Sequence, residues 1–341
     1  MEKIQLGNTG IQVMRSGFGA LPIQRLSVED AVSLVRSAYE RGFEFFDTAR
    51  SYTDSELKLG LALSDVRDRI TLATKTPSTT YDGVMADVET SLKLLKTDHL
   101  DILQLHNPSA LPDPEDPKSS YAALLKLREQ GVIRFIGITN HSVRTARAAV
   151  ESGLYDTLQY PINHLSTDEE MALMHLAAEK GMPVIGMKAL SGGLITNAAI
   201  SFAFLRHTFS NVLPIWGIQR FWELDNILDL EANPPVYEEM LPLIEKDRKE
   251  LKGGFCRGCG YCQPCPAKID IAQSARMAYL LRRSPYKQYM SDEWHEKMLR
   301  IRECIHCNAC KSRCPYSLDT PTLLQEQLVD YLQFYAEHKD D

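Results

Sequence analysis

Residues 27–47, SVEDAVSLVRSAYERGFEFFD, read as one helix followed by one strand, and the same alternation runs through most of the chain. Ser27 stands where a helix N-cap is expected, and Gly42 ends the helical spacing as a residue that tolerates the left-handed turn. The apolar run FEFFD follows. Similar short runs, GFGAL, ITLAT, LDILQLH, RFIGIT, DTLQY, PVIGM and NVLPIWG, recur between residues 17 and 218, with helically spaced segments between them. Eight such alternations predict an α/β fold, a closed (β/α)8 TIM barrel. The opening IQLGNTGIQV breaks the pattern. It reads as two short strands around Asn8 to Gly10, a hairpin expected to plug the closed bottom of the barrel. The proline-rich NPSALPDPEDP after the fourth run is expected to be a long loop at the mouth.

The carboxyl ends of barrel strands open on one face, so ionisable residues at those ends converge. Here the second strand ends in Asp47, the third in Lys75 and the fourth in His106, with Tyr52 five residues beyond Asp47. A phenol with an ordinary pKa near ~10 is a poor acid at neutral pH, and a neighbouring ammonium favours its ionised form. Lys75 is placed to supply that charge and Asp47 to hold Lys75. His106 is placed to hydrogen-bond a carbonyl oxygen on which charge develops. The group fits addition of hydride to a carbonyl, or the reverse.

All eight cysteines fall in two runs, CRGCGYCQPCP from Cys256 and CIHCNACKSRCP from Cys304. The second run follows the bacterial ferredoxin pattern C-x2-C-x2-C-x3-C-P; the first is one residue shorter before its last cysteine. Two [4Fe-4S] clusters are expected. Because the fourth cysteine of each run ligates the other cluster in two-cluster ferredoxins, one group is Cys256, Cys259, Cys262 and Cys314, and the other is Cys304, Cys307, Cys310 and Cys265. Structural zinc takes two C-x2-C pairs set a dozen or more residues apart, and disulfides belong to oxidising compartments, so both alternatives fit less well. The spacer over residues 266–303 carries helical periodicity, which predicts an α-helical ferredoxin-like domain. The terminal TPTLLQEQLVDYLQFYAEHKDD is expected to start with Thr320 as cap and Pro321 at the first helical position. Its apolar face would comprise Leu324, Leu328, Tyr331, Leu332 and Tyr335.

The cysteines also divide the chain of 341 residues. We expect a barrel over residues 1–232, a linker helix over 233–254 with its boundary marked by Lys252-Gly253-Gly254, and the ferredoxin-like domain with the C-terminal helix over 255–341. A net charge of −7 without a basic stripe argues against nucleic acid as a partner. MEKIQLGNTG is not an apolar signal segment, and no run approaches the ~18 uninterrupted apolar residues of a membrane span, so the expected location is cytoplasmic, with no membrane partner.

On FFDTARSY (45–52), LATK (72–75), LQLHNP (103–108), GITN (137–140) and LQY (158–160), residues 3–232 resemble the aldo-keto reductases. The whole chain is similar to the branch in which that barrel carries a C-terminal two-cluster ferredoxin domain. The resemblance implies that Asp47, Tyr52, Lys75 and His106 are the catalytic tetrad, with Tyr52 the general acid. It implies that Thr139, Asn140 and Gln159 hold the nicotinamide carboxamide. Met187-Lys188 stands where the family commonly stacks a tyrosine on the nicotinamide. Trp216-Gly217 and Trp222 fall where it grips the 2'-phosphate of NADP, with Gln219 and Arg220 as substitutes, and Asn226 matches the adenine-side asparagine. The cofactor expected by resemblance is NADP(H) ahead of NAD(H).

The implied activity is an oxidoreductase moving hydride between NADP(H) or NAD(H) and a small-molecule carbonyl or alcohol. For the two clusters three roles stay open: a relay of electrons to an external one-electron carrier, which is the favoured one, a sensor of redox state, or a structural cap on the barrel. Two other readings are open at this stage. One is a ferredoxin-type electron-transfer protein that uses a flavin or a partner protein, although no flavin signature is found. The other is an iron-sulfur regulatory protein with an inactive barrel.

Overall fold

In a computed structural model that describes residues 1–251 and 255–339, the chain opens with an antiparallel hairpin, β1 (Lys3–Gln5) against β2 (Gln12–Met14). Eight parallel strands follow: β3 (Gly17–Gly19), β4 (Phe45–Asp47), β5 (Thr71–Thr76), β6 (Leu100–His106), β7 (Ile133–Thr139), β8 (Thr157–Pro161), β9 (Val184–Met187) and β10 (Val212–Gly217). They close in sequence order, β10 pairing with β3, into the barrel that the alternation predicts. Nearly every strand residue is buried, as expected of parallel strands covered on the outside and packed within. The helix Val28–Glu40 starts where Ser27 Oγ accepts the Asp30 amide at 3.0 Å, and it buries Ala31, Leu34, Val35 and Ala38.

The hairpin fills the bottom of the barrel. Ile4, Leu6, Ile11 and Val13 join Phe45, Ala73, Ile102, Ile185, Leu213 and Ile215 in one buried cluster. Each such side chain removed from water contributes about 1.5–3 kcal/mol. With the lower end filled by apolar side chains, the polar strand ends lie at the other.

The chain divides into two compact units, the first comprising Met1–Ala189 and Ala198–Leu241, the second Leu190–Asn197 and Pro242–Asp341. The division falls inside the helix Tyr237–Glu250, and the expected marker Lys252-Gly253-Gly254 lies outside the described residues. Leu190–Asn197 follows β9 in the chain, where the strand alternation assigns it to the barrel. Its contacts place it in the second unit: Arg276 Nη1 donates to the Gly192 carbonyl at 2.8 Å and Arg283 Nε to the Leu194 carbonyl at 2.9 Å.

The second unit is helical and has no strand among its described residues, in keeping with an α-helical ferredoxin-like domain. Its longest helix is Thr320–His338. The flanking residue is Asp319 and not Thr320, because the Asp319 carbonyl accepts the Leu323 amide at 2.9 Å as the first helical bond. Leu324, Leu328 and Tyr331 are buried as expected; Leu332 and Tyr335 are half-buried, Tyr335 stacking on His295 at 4.1 Å. Among the described residues no helix is long and apolar enough to cross a membrane.

Candidate functional site

β4, β5 and β6 end side by side, and their register sets Lys75 opposite Gln104 and Asp47 opposite Ala73. Alternate residues of a strand face the same way, so Ala73 and Lys75, and Ile102, Gln104 and His106, point into the barrel. Lys75 Nζ donates to Asp47 Oδ1 and Oδ2, each at 2.7 Å, and to the Thr48 carbonyl at 2.6 Å. An ammonium has three donors, and all three are met. Both partners are almost fully buried. Burial raises the Asp47 carboxyl and lowers the Lys75 ammonium, and each charge opposes the shift of the other.

Tyr52 comes from the loop after β4. Lys75 Nζ stands 5.3 Å from the centre of its ring, and the His106 ring meets it edge-on at 5.8 Å and 81°. The structure therefore brings together all four residues read from the strand ends. Burial, and secondly the Lys75 charge, depress the His106 imidazole to about 3, so it is neutral at physiological pH. A neutral imidazole keeps one N–H donor for an oxygen at the mouth. The tyrosine hydroxyl, the imidazole and the lysine charge form a site suited to placing a proton on an oxygen while the adjacent carbon gains hydride.

The residues expected around a nicotinamide lie in β7 to β10 or in the segments that follow these strands. Thr139 ends β7 beside Gln159 in the β8 register. Gln159 Oε1 accepts from Gln104 Nε2 at 2.8 Å, while Gln159 Nε2 faces Asp47 Oδ2 at 3.4 Å and Met187 Sδ at 3.9 Å. Asn140 donates to the Pro108 carbonyl at 2.9 Å and accepts the Ser142 amide at 2.8 Å, which leaves one donor and one acceptor position of its amide without a partner among the described residues. Met187 is half-buried at the end of β9, and Lys188 takes a positive φ of 58° with its carbonyl held by Asn163 at 2.9 Å. Gly217, the last residue of β10, is exposed, as are Arg220 and Asn226 beyond it, and Gln219 is half-buried. The helix Phe221–Ala232 begins there, and Glu223 Oε2 accepts the Gln219 and Arg220 amides at 2.8 and 3.1 Å. Arg220 thus stands at the start of that helix with its backbone amide held by Glu223 and its side chain exposed.

Gln104 was not singled out by the sequence reading. It is fully buried, it reaches Asp47 Oδ1 at 3.3 Å, and it orients Gln159. Its place two residues before His106 on one strand puts it on the inward face, a signal present in LQLH. Glu56 was missed as well: it pairs with Arg50 behind the site and accepts from Thr74 and Ser91, each at 2.7 Å.

In the second unit, Cys256, Cys259, Cys262 and Cys314 line one cavity; Cys265, Cys304, Cys307 and Cys310 line another, which Cys262 also borders. The remaining walls are largely apolar, with Ile271, Ala275 and Leu323 around the first and Ile269, Ile305 and Leu324 around the second. Soft thiols in an apolar shell fit iron-sulfur clusters. Among the described residues no three His, Cys, Asp or Glu side chains converge on a single metal position. A cubane needs its thiols spread around a core. Burial pushes the Cys262 thiol up to about 12 and raises Cys256 and Cys310, a cost that ligated iron reverses by stabilising the thiolates.

Comparison with known proteins defines the class. Residues 14–205 match the aldo/keto reductase family and residues 255–319 match a 4Fe-4S dicluster domain. The chain is 29% identical over 216 residues to aldo-keto reductase YhdN of Bacillus subtilis (strain 168), covering 58% of this chain and 64% of that protein. It is 32% identical over 218 residues to L-galactose dehydrogenase of Arabidopsis thaliana, covering 58% of this chain and 68% of the relative. The fold matches aldo-keto reductase AKR11C1 from Bacillus halodurans with a TM-score of 0.63 at 21% identity, over 72% of this chain and 96% of that one. The chain belongs to the aldo/keto reductase family and carries, after the barrel, a 4Fe-4S dicluster domain. It spans less than two thirds of the length of the Bacillus subtilis relative.

Proposed function

We propose that this protein is an oxidoreductase that moves hydride between NADP(H) or NAD(H) and a small carbonyl or alcohol, with two [4Fe-4S] clusters that relay single electrons. The observation that carries the first part is the buried Lys75–Asp47 pair with Tyr52 and neutral His106 at one set of strand ends. A bound nicotinamide supplies the hydride. Tyr52 gives its proton to the carbonyl oxygen in the reducing direction and takes it back in the oxidising one. Lys75 stabilises the phenolate that remains, Asp47 fixes Lys75, and His106 donates to the same oxygen and aligns it. Thr139, Asn140 and Gln159 would hold the carboxamide. Met187 would pack against the ring, its thioether being a deformable apolar surface. Lys188, Gly217, Gln219, Arg220 and Asn226 would line the rest of the dinucleotide. The two cysteine groups would hold the clusters, whose one-electron chemistry suits exchange with an external carrier.

The test is Tyr52→Phe. Nicotinamide binding, followed by fluorescence titration, should persist, whereas carbonyl reduction should fall about a hundredfold or more, the usual scale for a positioned general acid. Turnover within a few fold of the unsubstituted protein would remove Tyr52 from the chemistry.

A further inference from the structure

The cavity lined by Cys265, Cys304, Cys307 and Cys310 opens at the protein surface. Cys307 is exposed, Ile305 beside it is 65% exposed, and Pro264 and Pro266 are exposed at the same mouth. Three exposed cations adjoin the segments that line this mouth. The Lys268 amide donates to the Cys265 carbonyl at 2.9 Å, Arg313 Nη1 donates to the Pro264 carbonyl at 3.3 Å, and Arg302 precedes Cys304 by two residues. All three are exposed, and none is paired with a carboxylate among the described residues. The other cavity has a different surround. Its four cysteines are half-buried, Arg276 nearby is buried and donates to the Gly192 carbonyl, and Arg257 lies over the Tyr316 ring at 4.5 Å.

The segment that carries both cavities is also richer in cations than the chain as a whole. The whole chain has 38 Lys and Arg against 45 Asp and Glu, yet residues 255–319 contain eleven of the first kind and six of the second. A cubane with four thiolates is itself anionic, so part of this excess balances the clusters. Arg276 and Arg257 suit that role. Lys268, Arg302 and Arg313 face solvent instead, on the rim of an apolar patch, the arrangement of a docking surface with a water-excluding centre and a charged edge.

We propose that this mouth docks an acidic one-electron carrier protein and that electrons cross between the carrier and the cluster held by Cys265, Cys304, Cys307 and Cys310. Carboxylates of the carrier meet Lys268, Arg302 and Arg313, and its redox centre faces Ile305 and Cys307. In each encounter a reduced carrier loses one electron and the cluster gains one; no bond forms or breaks and no proton moves. The inference rests on the cluster part of the proposed function and is independent of hydride transfer in the barrel.

The experiment uses the full chain, reconstituted to about eight irons, and an acidic [2Fe-2S] ferredoxin as probe. Calorimetry at low salt should show binding that weakens about tenfold or more as salt is raised, since exposed charges are screened beyond about 10 Å at 0.1 M. The triple variant Lys268→Glu, Arg302→Glu, Arg313→Glu should retain its iron and lose at least about tenfold in ferredoxin affinity. Reduction of its cluster by reduced methyl viologen, a small cation, should not slow. Equal ferredoxin affinity for the variant and the parent, or no binding to iron-replete parent at low salt, overturns the docking surface. A chain that takes up no iron overturns the cluster reading and the docking surface together.

Discussion

At the scale of single residues, the site is governed by how few donors remain uncommitted. The three N–H groups of Lys75 are spent on Asp47 and Thr48, so its influence on Tyr52 comes from its charge 5.3 Å from the ring centre. His106 is held neutral by burial next to that charge, with a folded value of about 3 against an ordinary 6.5. The folded value lies below the unfolded one, so between pH ~6.5 and ~3 the unfolded chain binds the extra proton and stability falls as pH falls; above ~6.5 the imidazole is neutral in both states and adds no pH dependence. We predict that the His106 ring resonances will show no titration between pH 8 and 5. A midpoint near 6.5 would contradict the buried neutral imidazole. Asp47, Lys75 and His106 were legible because titratable side chains at successive strand ends stand out in a sequence. Gln104 has no such mark: its role depends on which amide atoms face Asp47 and Gln159, which three-dimensional register decides.

At the scale of elements, strands and helices followed their local patterns, while close approaches between them did not announce themselves. The helices Ser55–Leu63 and Tyr81–Leu95 touch at Gly60, where an added Cβ would meet the Leu94 carbonyl oxygen and lie 2.8 Å from Leu95 Cα. Backbone cannot yield as a flexible side chain can. Gly60→Ala should therefore destabilise the barrel by about 1–3 kcal/mol despite the better helix propensity of alanine. Leu61→Ala, at a position 40% exposed on the same helix, should cost less. Melting temperatures of the two variants compare them directly, and an unshifted Gly60→Ala would mean that the helices can separate at little cost. The last helix makes a related point. Asp319 and Thr320 both suit a cap by residue type, and the bond from the Leu323 amide to the Asp319 carbonyl is what selects between them.

At the scale of the whole molecule, the sequence separates a cysteine-free barrel from a cysteine-rich tail, but it gives no sign that Leu190–Asn197 belongs with the tail. The reason is tertiary: the segment is held by Arg276 and Arg283, more than eighty residues away in the chain. Arg276 is itself set among the first cysteine run, its Nη1 and Cζ lying 2.9 and 3.1 Å from where a Cβ on Gly258 would stand. Arg276 also holds Gln273 Oε1 at 2.9 Å, and Arg283 pairs with Asp247 and, at 2.8 Å, with Glu250. Loss of iron leaves the run from Cys256 to Cys265 without its anchor, and Arg276 loses the fixed backbone against which it packs. Within the segment, the amides of Gly193 and Ile195 bond to the Leu190 carbonyl at 2.9 and 3.2 Å. We predict that iron-free protein will lose about tenfold or more of the hydrogen-exchange protection at these two amides, while amides of β5 and β6 stay protected, because opening is local to the unit that loses its metal. Arg276→Ala in iron-replete protein should reproduce part of the effect. Unchanged protection at Gly193 and Ile195 after iron removal would show that the segment is held without help from the cysteine runs.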